Sequence, residues 1–67
     1  MKALTGKQFC SLLEARGWRL KRVRGSHHIF VKPGIAVRIS VPVHRGTLKV
    51  GLQRHLMKLA QIEASEL

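Results

Sequence analysis

Sixty-seven residues can enclose one small core but not two, so the whole chain, residues 1–67, is expected to form a single domain. Thirteen Lys and Arg against three acidic residues leave a formal charge of +10, which favours an anionic partner such as nucleic acid or an acidic protein. Apolar residues at 45% exclude wholesale disorder, and the single cysteine, Cys10, excludes a disulfide framework and a cysteine-rich zinc site. There is no secretory apolar segment and no run of membrane-spanning length, and the basic residues are not gathered on one amphipathic helix. The expected setting is the reduced cytoplasm, away from membranes.

Thr5-Gly6-Lys7-Gln8 reads as a capping box, with Thr5 as N-cap and Gln8 at the third helical position. Leu4 and Phe9 have the spacing of a hydrophobic staple across it. Phe9, Leu12 and Leu13 repeat at helical spacing, and Gly17 follows Arg16 as a left-handed stop, so the spacing predicts a helix from Gly6 to Arg16. Cys10 lies on the flank of this helix with no histidine within a turn to activate it, and it is not expected to be catalytic.

After Gly17 the period changes to two. Trp18 and Leu20 alternate with Arg19 and Lys21, which predicts a strand with one buried and one solvated face. Val23 falls on the wrong parity, which points to a bulge or a strand end near Arg22. Arg24-Gly25-Ser26 supplies a turn, His27 to Val31 reads as a second strand, and Lys32-Pro33-Gly34 as a second turn. Ala36 to Val41 is a third strand, with Val37, Ile39 and Val41 on one face and Arg38 and Ser40 on the other; Pro42 ends it. A polar loop at Val43 to Thr47 leads to a second helix from about Lys49, carrying Leu52, Leu56, Leu59 and Ala60, with His55 beside that stripe and expected to be partly buried. Ile62 to Leu67 adds a further turn. Neither helix can bury its apolar stripe alone. The expected fold is therefore α+β, in the order α-β-β-β-α, with a three-stranded antiparallel meander, both helices on one face and the other face open.

The stretch most suited to chemistry is Gly25-Ser26-His27-His28-Ile29-Phe30, preceded by Arg19, Lys21, Arg22 and Arg24. Histidine exchanges protons near neutral pH, and cations beside it draw in a polyanion. Together they suggest phosphodiester chemistry on a nucleic acid, with His27 as the candidate catalytic group and His28 as runner-up. Lys21, Arg22, Arg24 and Ser26 are the candidate phosphate contacts. The competing reading is a strand whose histidines are merely half exposed, on a non-catalytic double-stranded-RNA-binding-like module. If Phe30 faces the core, His28 shares its side and His27 points to solvent; if Ile29 and Val31 are buried, the histidines exchange places. Both phases are open at this level. His44 sits in a loop, and a zinc site is not expected, because no Asp exists and only His27 and His28 are neighbours. No metal or organic cofactor is anticipated.

The α-β-β-β-α order is similar to that of a double-stranded-RNA-binding domain. Gly17-Trp18, Gly25-Ser26-His27-His28-Ile29-Phe30, Val41-Pro42-Val43-His44 and Leu48-Lys49-Val50-Gly51-Leu52 together resemble the successive motifs of the HicA toxin family, over residues 5 to 62. The Gly-Ser-His element between two strands is the most specific of these. Two departures stand out, a short loop after His44 and Gln61 where a helix-ending glycine is common. The resemblance implies ribosome-independent, metal-independent cleavage of mRNA by an endoribonuclease, with His27 carrying the catalytic role. It also implies neutralisation by a HicB-type antitoxin protein.

Overall fold

The capping box at Thr5 forms as its spacing requires: the Gln8 amide donates to Thr5 Oγ1 at 3.1 Å, and Thr5 N–H donates to Gln8 Oε1 at 2.9 Å. It opens α1, Gly6–Ala15, in a computed structural model that describes residues 1–67. At the other end, Gly17 N–H donates to the Glu14 carbonyl and Trp18 N–H to that of Leu13, the two bonds of a Schellman motif. Leu13 and Trp18, which this motif brings together, are both buried. The Trp18 indole Nε1 has no acceptor, so this side chain contributes through its rings alone.

Three antiparallel strands follow, β1 (Arg19–Arg24), β2 (His27–Lys32) and β3 (Ile35–Pro42), in the order β1-β2-β3. The ladder between β1 and β2 skips Lys21, and this bulge returns Val23 to the side of Leu20. Gly25 has φ +60° while Ser26 keeps a negative φ, the signs of a type II′ hairpin turn. Pairing across the sheet assigns the faces. Phe30 stands opposite Leu20 and Ile39, and His28 opposite Val23 and Val41, while Phe30, Ile39 and Val41 are buried. That is the helix-side face. Arg24 and Pro42 stand opposite His27, and Arg22 and Ser40 opposite Ile29, all on the open face.

The second helix, α2 (Val50–Ala60), buries Gln53, Leu56, Met57 and Ala60. With Phe9, Cys10 and Leu13 of α1 and the inward residues of β2 and β3, Leu56, Met57 and Ala60 form one aliphatic-rich core. The helices run in the same direction. Their starts are joined by Leu48 N–H donating to the Leu4 carbonyl at 2.7 Å and by a bridge between Thr5 and Thr47. Their ends are joined by an ion pair between Arg16 and Glu66, the latter in a 3₁₀ turn at Ala64–Glu66. The Glu63 N–H, and then Arg16, hold the Glu66 carboxyl below its ordinary pKa. Gly6 is a point of close approach, because a Cβ there would collide with the Pro42 carbonyl oxygen.

Three features differ from the expectations of residue spacing. Strand β1 does not bury one face: Leu20 and Val23 point to the helix side yet are 45% and 53% exposed, because the helices cover β2 and β3 and leave this edge bare. His55 is exposed rather than partly buried, since the inward arc of α2 runs through Gln53, Met57 and Ala60. Gln53, a polar residue with no apolar spacing signal, is fully buried; its Oε1 accepts from Leu4 N–H and its Nε2 donates to the Lys2 carbonyl, so it ties the N-terminal segment to α2.

The end of α2 repeats the Schellman geometry of α1, with Gln61 N–H donating to Lys58 and Ile62 N–H to Met57, but Gln61 occupies the left-handed position at φ 59°. A side chain there costs roughly 1–2 kcal/mol. Gln61→Gly should therefore raise stability by about 1 kcal/mol, or roughly 4–8 °C in melting temperature for a domain of this size. A thermal melt showing no increase would contradict this reading of the helix end.

Candidate nucleic-acid interface

His27 owes its position to two constraints. The Gly25-Ser26 turn begins β2 immediately before it, and the burial of Phe30 three residues later sets the phase of the strand. His27 is accordingly exposed on the open face, while His28 is half-buried on the helix side. The strand end is held from the other side too: Val43 N–H donates to the Ser26 carbonyl at 2.7 Å, extending the pairing of His27 with Pro42 by one step. Ser26 is half-buried in the turn, and no hydrogen bond engages its hydroxyl.

Two of the predicted phosphate contacts lie on the open face beside His27. Arg24 lies directly across from His27, and Arg22 one pair further along, both exposed on the same open face. Lys21 is the unpaired residue of the bulge and is also exposed. Two further arginines, not among the expected phosphate contacts, join this face. Arg19 pairs with Val31, and Arg38 alternates with the buried Ile39 and so lies beside Ser40. The alternation of the third strand already separates Arg38 from the core, but its relation to His27 depends on strand pairing. Four arginines thus surround a half-buried apolar centre formed by Ile29 and Val31, with the imidazole of His27 at one end. The three glutamates lie elsewhere, Glu14 near the end of α1 and Glu63 and Glu66 beyond α2. The open face therefore presents cations to solvent with no acidic side chain among them, which is the footprint of a surface for a polyanion.

The remaining reactive groups are placed apart from this surface. Cys10 is buried in the core, and burial, reinforced by the charge of Glu14, pushes its thiol pKa up, the opposite of an activated nucleophile. His44 is exposed in the loop after β3, and no group of three or more His, Cys, Asp or Glu side chains comes together. No helix is long and apolar enough to cross a membrane.

Comparison with curated proteins finds no match. Comparison with family models matches residues 6–62 to the HicA toxin of bacterial toxin–antitoxin systems, a span that takes in α1, the whole sheet and α2. The match covers most of the 67 residues and includes the Gly25-Ser26-His27 element on which the open face is built. The chain therefore belongs to the HicA toxin family of bacterial toxin–antitoxin systems.

Proposed function

We propose that this protein is a metal-independent endoribonuclease that cleaves mRNA on the open face of its sheet, with His27 as a proton-transfer group. The observation that carries the reading is the exposed imidazole of His27 on the same face as Arg22 and Arg24, within a chain of a toxin family. RNA supplies its own nucleophile. The 2′-oxygen bonds to phosphorus as its proton is taken by a base, and the bond from phosphorus to the 5′-oxygen breaks as that oxygen receives a proton. This leaves a cyclic phosphate and a free 5′-hydroxyl. His27 carries one of these two proton transfers, and Arg22 and Arg24 stabilise the negative charge that builds on the phosphoryl oxygens. Lys21 adds to the attraction of the strand, and Ser26 holds the turn that presents the imidazole. Stacking aromatics are absent from this face, so binding rests on phosphate charge and tolerates many sequences.

His27→Ala should lower cleavage of RNA by about 100- to 10,000-fold, the usual cost of removing a general acid or base, while leaving RNA binding and the melting temperature nearly unchanged. Cleavage by the unaltered protein should persist in EDTA. His28→Ala should lower the melting temperature, because His28 packs toward Val41, but should spare activity per folded molecule. Loss of activity in a folded His28→Ala protein with a fully active His27→Ala protein would reverse the assignment. If neither substitution matters, the open face serves a non-catalytic RNA-binding module instead.

The toxin family implies an antitoxin partner, and we take it to be of HicB type and to neutralise the protein by covering the open face. Acidic groups complement four arginines, so association should be fast and should slow with added salt. Hydrogen exchange on the complex should show protection along β1 and at His27–Ile29. Protection confined to α1 and α2 would exclude occlusion of the site as the means of inhibition.

A further inference from the structure

A concavity lies not on the open face but beside it. A cleft of about 310 Å³ opens where the starts of the two helices meet the end of β3, walled by Gly6, Pro42, His44, Arg45, Lys49 and Leu52 among others. Its titratable lining is wholly basic: His44, Arg45 and Lys49, all exposed, with no acidic side chain in the wall. Pro42 belongs both to this wall and to the pair with His27, so the cleft begins one strand away from the imidazole. Gly6 lets α1 close against the Pro42 carbonyl, and both residues line the cleft.

The start of α2 sharpens the point. Lys49 occupies the N-cap position, where Ser, Thr, Asp or Asn is favoured, and its side chain makes no capping bond. The first turn holds no acidic residue, and the first intrahelical bond is donated by Gln53 to Lys49. Cations gathered at a positive helix end repel it and one another. An anion in the cleft would offset that repulsion.

We propose that this cleft is a second phosphate subsite, formed by Arg45 and Lys49 with His44 at its rim, which holds a backbone phosphate of the RNA strand adjoining the phosphate at His27. The proposal rests on the ribonuclease reading above and extends it: the strand crosses from the open face over Pro42 into the cleft. A single-stranded backbone suits this path, because it must turn from the flat sheet into a concave wall.

The test uses His27→Ala protein, which leaves RNA intact, with and without the added pair Arg45→Gln and Lys49→Ser. Lys49→Ser also supplies the missing helix cap, so the double change should keep or raise the melting temperature while it weakens binding. A single-stranded RNA carrying neutral methylphosphonate at one linkage at a time is the probe. With the basic pair present, neutralising one particular linkage should weaken binding; with the pair removed, neutralising that same linkage should have no further effect. The log-log dependence of affinity on salt should shrink in slope by about 0.7 for each phosphate that the protein no longer neutralises, whereas Lys58→Ala, at the far end of α2, should leave it unchanged. Equal salt slopes and equal methylphosphonate penalties with and without the pair would overturn the subsite while leaving the ribonuclease standing. Failure of the wild-type protein to bind or cleave RNA would overturn both.

Discussion

The packing of Phe30 against Ile39 is the constraint on which the rest depends. Both side chains are inaccessible to solvent, and they face one another across β2 and β3 on the side the helices cover. A strand has a period of two, so fixing Phe30 inward fixes every other residue of β2. His28 must then turn toward the helices and His27 away from them, and Ile29 and Val31 must line the open face. A slip of one residue would bury His27 beneath α1 and α2 and expose Phe30. The hydrophobic effect at one aromatic residue thus determines which histidine can meet a ligand.

The second organising feature is polarity from end to end. Because α1 and α2 run in the same direction, both positive helix ends lie at the end of the molecule that carries Pro42, His44, Arg45 and Lys49. The Gly25-Ser26 turn belongs to this end as well, through the bond from Val43 to the Ser26 carbonyl. The opposite end holds Glu14, Glu63 and Glu66, with the Arg16–Glu66 pair closing it. Of these acidic residues only Glu66 has a cationic partner, Arg16, which offsets its closeness to the negative helix ends, and the end that carries Pro42 has no acidic residue. A net charge of +10 opposes compaction, and this separation concentrates its effect at the end that carries Pro42, His44, Arg45 and Lys49.

What can be read from residues alone is whatever is encoded locally. The Thr5-Gln8 capping box, the Gly17 stop, the bulge signalled by the parity of Val23 and the Gly25-Ser26 turn all depend on neighbours within a few positions, and each is present. The phase of β2 is not legible, because Phe30 and the pair Ile29 and Val31 are equally apolar and only the partner layer decides between them. The bare edge at Leu20 and Val23 departs from expectation for the same reason: alternation reports which face a residue points to, not whether a helix arrives to cover it. Gln53 gives no local signal because its two partners, Lys2 and Leu4, are about fifty positions away in the chain. The placing of Arg38 on the same face as His27, and the closeness of Gly6 to Pro42, likewise exist only in the assembled sheet and helix layer.

The central claim is that RNA meets the face carrying His27 and not the face carrying His28. The most direct measurement is the NMR spectrum of the two imidazoles during titration with a 2′-O-methyl RNA, which lacks the nucleophile and cannot be cleaved. The His27 signals should shift and saturate together with the guanidinium signals of Arg22 and Arg24, while those of His28 and the Phe30 ring hold their positions. Shifts at His28 and along the helices, with His27 unmoved, would contradict the assignment of the open face.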